Sequence, residues 1–158
     1  DFSLNQLRKV DKSKIYTFKA DAENMPFASN QFSLIICSEV IQNLENIDLI
    51  FQEISRVLKK GGIAIVSSLN ANSIIRKFIM KIDPNNKNKN YLLRDKGEPN
   101  IFLRSPSELK LKANNNGLVF TKTYWLFSPI NYSLLRNDWI NPFYSSLAQN
   151  FACVFRKK

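Results

Sequence analysis

FSLIICSEVIQNLENIDLIFQEISRVLKKGGIAIVS, residues 32–67, decides the fold. Its first six residues, FSLIIC, are nearly continuous apolar sequence, as in a central parallel strand covered on both faces. Its last five, IAIVS, have the same character. Between them Ile47, Ile50, Phe51, Ile54, Val57 and Leu58 recur at three- and four-residue steps, the period of an amphipathic helix. Lys59 and Lys60 follow in the expected last turn, and Gly61 stands where a helix C-terminus wants a left-handed residue. Strand, helix and strand with short connections predict a βαβ crossover and a parallel sheet, hence an α/β fold.

Outward from this unit, Ser3 to Val10 predicts a helix with Ser3 as N-cap, and IYTFKA at 15–20 a strand. Ser73 to Ile82 predicts a basic helix, with Ile74, Ile75, Phe78, Ile79 and Ile82 set against Arg76, Lys77 and Lys81. Residues 83–100, rich in Asn and Lys with Pro84, Gly97 and Pro99, predict a loop. Ser105-Pro106-Ser107-Glu108 opens a further helix that Asn114 to Gly117 closes. Leu118 to Phe127 and Phe151 to Phe155 read as strands, and residues 130–149 as helical pieces broken at Pro142.

Composition narrows the chemistry. The 158 residues hold 23 Lys and Arg against 13 Asp and Glu, a net charge of +10, with no His, 2 Cys and 4 Gly. Without His there is no Ser-His-Asp or Cys-His nucleophilic site and no His-ligated zinc. Two Cys make neither a Cys₄ cluster nor a disulfide framework. Cys37 and Cys153 both lie in apolar runs and read as small core residues, which suits a reducing compartment and a cytoplasmic protein. Glycines at 61, 62, 97 and 117 cannot form a Gly-rich phosphate cradle. No metal site is expected. No run is long and apolar enough for a membrane-spanning helix.

Ligands of open α/β sheets bind beyond the carboxyl ends of the strands. The residues there are Asp21-Ala22-Glu23, Ser38-Glu39 and Ser68-Leu69-Asn70. An acidic residue at that edge can accept hydrogen bonds from a ribose diol or an adenine amine, and can equally be a solvated turn residue.

DAENMPFASNQF at 21–32, then SLIICSEV, EISRVLKKGG and IAIVS, resembles the class I S-adenosylmethionine-dependent methyltransferases. The similarity is greatest to the group acting on small molecules, quinones and lipids, the methyltransferase type 11 group. The resemblance implies a Rossmann-like sheet, mostly parallel with an antiparallel C-terminal end. It implies S-adenosylmethionine as cofactor, with Asp21 accepting from the adenine amine, Ala22 meeting the adenine through its N–H, and Ser38 near the methionine part. Asp1 and Ser3 look like the family's D-x-S, so Asp1 would hold the ribose hydroxyls and Phe2 would lie against the adenine. The Gly-rich turn that normally stands about 20 residues before the ribose acid falls outside the sequence. An N-terminally truncated domain with its first strands missing is therefore expected, of which residues 1–70 are the cofactor side and 71–158 the substrate side. Weak or absent cofactor binding by these residues alone goes with it. The chain departs from the family pattern in Ser33 for Asp, Lys60 for Pro, and Asn43 where His is common.

Displacement at a sulfonium needs alignment more than acid–base chemistry, so the lack of His does not oppose it. Glu39 is the candidate base and Tyr132 a second. A small-molecule or lipid-linked acceptor, anionic in one reading, is the expected partner. The +5 excess between Arg76 and Lys96 lacks the aromatic interleaving of nucleic-acid binding, and suits peripheral membrane contact. Two alternatives stand beside the enzyme: a non-catalytic scaffold on the same sheet, and a basic membrane-binding module.

Overall fold

The computed structural model describes residues 4–11, 13, 15–75, 77–78, 102–126 and 146–158. In chain order the elements are α1 (Leu4–Leu7), β1 (Phe32–Ser38), a 3₁₀ turn (Ile41–Asn43), α2 (Asp48–Val57), β2 (Leu58–Leu69), α3 (Pro106–Asn115), β3 (Leu118–Leu126) and β4 (Asn150–Lys157). The strands form one mixed sheet in the order β1-β2-β4-β3. β1 and β2 are parallel, with Leu34 opposite Ile63 and Ser38 opposite Ser67. β4 runs antiparallel to both β2 and β3, which makes the C-terminal end of the sheet antiparallel as expected.

One face of the sheet carries the core. Ile50, Phe51, Ile54 and Val57, all on one side of α2, are buried. They share a cluster with Ala64, Val66, Cys153 and Phe155 from the strands and Leu109 and Ala113 from α3. Phe51 and Phe155 meet edge to face at 5.8 Å. Each fully buried phenylalanine contributes about 1.5–3 kcal/mol. An ion pair from Lys112 to Asp48, 2.6 Å long, joins the two helices at their margin. α3 starts as its sequence predicts: the Ser105 hydroxyl accepts from the Glu108 N–H at 3.2 Å, with Pro106 in the first turn.

The sequence reading needs three corrections. First, residues 15–20 form no strand, and Tyr16 is 93% exposed. A strand exists only through its hydrogen-bonded neighbour, and no strand among the described residues lies beside this one. Second, α2 ends at Val57, with Leu58 already extended. Gly61 therefore does not cap the helix. Two steps along β1, Phe32 to Leu34, face five along β2, Leu58 to Ile63, so residues 59–62 bulge from the ladder. Gly61 takes φ +75° there, and a Cβ on Gly62 would stand 2.8 Å from the Lys59 carbonyl oxygen. The double glycine makes the bulge possible. Third, the first helix is a single turn. Ser3, the loop at 83–100 and nearly all of the 130–149 segment, with Tyr132, lie outside the described residues.

Candidate functional site

The parallel pair β1–β2 ends at Ser38 and Ser67, and the chain leaves β1 through Glu39. Glu39 has φ +56°, a conformation uncommon outside glycine and asparagine. Three elements hold it there. Its N–H points at β2, donating to Ser67 Oγ at 3.1 Å and to the Ser67 carbonyl at 3.3 Å. Its own carbonyl accepts from Asn43 Nδ2 at 3.4 Å, in the 3₁₀ turn. Its Oε1 accepts from Asn150 Nδ2 at 2.7 Å, at the start of β4. Ser67 Oγ also donates to Ser38 Oγ at 3.3 Å. Glu39 and Ser38 are exposed. An exposed carboxylate needs no partner to stay solvated; the backbone contacts fix the residue and Asn150 fixes where its carboxylate points. Oε2 accepts no hydrogen bond among the described residues.

Behind this edge lies a buried polar layer. Gln42 Oε1 accepts from the Leu69 N–H at 3.2 Å, and its carbonyl accepts from the Phe102 N–H at 2.7 Å. Arg104 donates to the carbonyls of Leu44 and Glu45 and pairs with Glu108 at 2.7 Å. Its backbone bridges Leu69 and Ala71. The segment at 102–104 thereby ties the turn after β1 to the end of β2. The orphaned Arg104 Nε and Ser68 Oγ are the buried side-chain polar atoms without a partner among the described residues.

The other predicted group lies in the loop before β1. Asp21 opens a turn closed by Asn24, and its Oδ1 accepts from the Glu23 N–H at 2.9 Å. Its Oδ2 and the N–H of Ala22 have no hydrogen-bond partner among the described residues. A free carboxylate oxygen beside a free N–H matches the edge of an adenine, whose exocyclic amine donates and whose neighbouring ring nitrogen accepts. These residues fit the cofactor that the sequence resemblance implies. The loop is rigidly seated: Ala22 and Met25 pack on the core. Glu53 Oε2 accepts from the Met25 N–H at 2.6 Å, and Arg56 donates to the carbonyls of Phe27 and Met25 at 2.7 and 2.9 Å. Hydrogen bonds from Arg56 hold the Glu53 carboxyl below the usual glutamate range, against the opposing effect of burial.

Asp21 and Ala22 thus occupy the loop before β1, Ser38 and Glu39 the carboxyl end of β1, and no hydrogen bond joins the two groups among the described residues. Asp1 and Phe2 lie outside the described residues. Of the residues read past the third strand, Ser68 and Asn70 are buried and structural. β2 runs two residues beyond the predicted end, so Ser67 faces the site instead. Sequence reasoning missed Asn150 and Arg104, because 111 and 60 residues separate them from the groups they hold. Burial pushes the thiols of Cys37 and Cys153 up to about 11, so neither supplies a nucleophile.

Residues 1–66 match the family model of a methyltransferase domain. A demethylmenaquinone methyltransferase of Corynebacterium urealyticum is 37% identical over 62 residues, 39% of this chain and 27% of that protein. A ubiquinone biosynthesis O-methyltransferase of Pelagibacter ubique is 26% identical over 131 residues, 83% of this chain and 51% of that protein. A solved structure from Thermotoga maritima, a SAM-dependent methyltransferase and possible histamine N-methyltransferase, superposes with TM-score 0.70 at 22% identity. It covers all of this chain, which spans 71% of it. The chain spans between 11% and 51% of the length of the curated relatives it matches.

Proposed function

We propose that the chain belongs to the class I S-adenosylmethionine-dependent methyltransferases and that the protein carrying it transfers a methyl group to a small-molecule or lipid-linked acceptor. The reaction would take place at the carboxyl edge of β1 and β2. The observation that carries this reading is Glu39, its backbone held at that edge by Ser67 and Asn43 and its carboxylate by Asn150, with one oxygen left open.

S-adenosylmethionine, when bound, supplies a methyl group already activated on a sulfonium. The work left to the protein is to bind, align and take up a proton. Asp21 and Ala22 would read the adenine edge. Ser38 would lie along the methionine part. Asp1 and Phe2 would serve the ribose diol and the adenine face. Glu39 would accept the proton that an O–H or N–H acceptor sheds as its lone pair forms the new bond. Alignment alone is worth about 7–11 kcal/mol in well-oriented reactions. A positioned base adds roughly 10²–10⁴-fold. Residues 1–70 would form the cofactor side of the domain and 71–158 the substrate side. The quinone methyltransferases among the relatives support an apolar, ring-bearing acceptor.

Calorimetric titration of the protein with S-adenosylmethionine tests the reading. Residues 1–158 alone should bind weakly or not at all, whereas the full-length protein carrying them is expected to give saturable heat, with affinity reduced about tenfold by Asp21→Ala. No heat from the full-length protein at millimolar cofactor removes the catalytic reading and leaves a scaffold on the same sheet.

A further inference from the structure

Helix α2 directs two charged side chains at the loop before β1. Glu53 and Arg56, one turn apart, pair twice: Arg56 Nε donates to Glu53 Oε1 at 2.6 Å and Nη2 to Oε2 at 2.8 Å. The pair then reaches out of the helix to three backbone groups. Glu53 Oε2 accepts from the Met25 N–H at 2.6 Å, Arg56 Nη1 donates to the Phe27 carbonyl at 2.7 Å, and Nη2 donates to the Met25 carbonyl at 2.9 Å. The helix does not need these bonds for its own end, because the N–H groups of Asn30 and Gln31 already close the carbonyls of Arg56 and Val57. Nor is an ion pair whose arginine is about one-third exposed worth much to stability by itself. What the bonds fix is the segment that follows Asp21 and Ala22. The Asn24 N–H closes the Asp21 turn at 3.3 Å, and Met25 is the next residue. The turn is held at one end by Ala22, packed on the core, and at the other by the pair on α2.

We propose that Glu53 and Arg56 are positioning residues for cofactor binding: by fixing Met25 and Phe27 they hold the Asp21 carboxylate and the Ala22 N–H at the spacing of an adenine edge. The inference rests on the reading of Asp21 and Ala22 as the groups that meet the adenine. The open Oδ2 of Asp21 and the open N–H of Ala22 meet one rigid base together only when their spacing is set. A loop with almost no regular structure would lose its freedom at the moment of binding, and affinity would fall by that amount. The pair removes this loss beforehand. An arginine suits the task, because its planar fork reaches two carbonyls and a carboxylate at once, which a lysine cannot do. Neither side chain has a hydrogen bond to Ser38, Glu39 or Asn150 among the described residues. The pair therefore bears on how tightly and how selectively the cofactor's base is held, and not on the methyl-transfer step.

Calorimetric titration of the full-length protein carrying these residues tests it, with S-adenosylhomocysteine and S-inosylhomocysteine as probes. The second probe reverses both partners on the ring edge, since its oxo group accepts and its ring nitrogen donates. Glu53→Gln and Arg56→Lys should each weaken S-adenosylhomocysteine about tenfold with unchanged stoichiometry, and should narrow the preference over S-inosylhomocysteine as Asp21→Ala does. A merely structural role would lower the stoichiometry, through the folded fraction, and leave affinity and preference alone. Glu53→Gln combined with Asp21→Ala should bind no more than about twofold worse than Asp21→Ala by itself, because the clamp acts through that turn. If the parent takes up no S-adenosylhomocysteine, or Asp21→Ala binds it as tightly as the parent does, the adenine reading fails and this inference falls with it. If Asp21→Ala weakens binding while Glu53→Gln leaves affinity intact, or if the two losses multiply in the double variant, the positioning role alone is overturned.

Discussion

At the scale of single residues, backbone conformations outside the ordinary regions mark both function and packing. Glu39 and Gly61 share a left-handed φ, but only the glycine adopts it without cost. Backbone strain of this kind costs of order 1–3 kcal/mol and persists where the surroundings over-determine it. At Glu39 the surroundings are Ser67, Asn43 and Asn150, which serve the direction of a carboxylate. Glu39→Gln keeps the shape and removes the charge. It should lower methyl transfer about 10²-fold while moving stability by less than about 0.5 kcal/mol, as for exposed positions. Asn150→Ala should lower transfer as well, and the double variant should lose little more than Glu39→Gln alone, because the two act as one unit. Equal losses that multiply would separate them. Gly62 is a packing case. A Cβ there would press on the Lys59 carbonyl, Leu58 Cδ2 and the Ser33 carbonyl at 2.8, 3.0 and 3.2 Å. Two of those atoms are backbone, so Gly62→Ala should destabilise by about 1–3 kcal/mol in urea unfolding.

At the scale of elements, the loop before β1 depends on α2 more than on its own sequence. Residues 21–31 have almost no regular structure, yet Glu53 and Arg56 pin three of their backbone groups, and the last carbonyls of α2 accept from the N–H groups of Asn30 and Gln31 at 2.9 and 2.8 Å. The helix end that lacks a glycine cap is closed by this loop instead. That is why α2 could stop at Val57 while the sequence pointed to Gly61. The helix was legible from its apolar period; its stop was not, because the capping groups come from residues 30 and 31, which precede it. The strand expected at 15–20 failed for the related reason that alternation and β-branching describe a segment fit to pair, not the partner it pairs with. Strands β1 to β4, the Ser105 cap and the parallel pairing were legible because their signals are local. The Glu53 clamp carries a pH dependence. Its folded-state pKa is depressed, so its stabilisation is present above the ordinary glutamate range and is lost as pH falls through the lower folded value. Arg56 is about one-third exposed, and solvent screening keeps the contribution near 1 kcal/mol. Glu53→Gln should therefore be less stable than the parent by about that amount at pH 7, with the two urea midpoints converging as pH drops below about 4. A gap that persists undiminished at low pH would place the effect in packing rather than charge.

At the scale of the molecule, the sheet divides by face and by edge. One face is closed by α2 and α3. On the other, Leu34 and Ile36 of β1 are 52% and 66% exposed among the described residues, so the near-continuous apolar run that predicted a strand covered on both faces has one face covered here. The polar groups come from three parts of the chain: the loop before β1, held by α2, and, at the carboxyl edge, the turn after β1 and the start of β4. The family pattern in residues 1–66 made the first two legible; the third came only from the antiparallel return of β4, which puts Asn150 opposite Leu69. If that edge is where the cofactor sits, binding must stabilise the whole fold, since loop, turn and strand are held by separate contacts that a bound ligand would join. Cofactor at about 100 times its dissociation constant should add about 2.7 kcal/mol, or roughly 5–10 °C in melting temperature at this size. Asp21→Ala should shrink that shift without moving the melt of the free protein, because its carboxylate serves only its own exposed turn. Phe78→Ser, at an exposed position on the turn after β2, should leave the shift whole. A shift that both variants abolish would mean that the edge and that turn are one site, and one that neither changes would place the cofactor elsewhere.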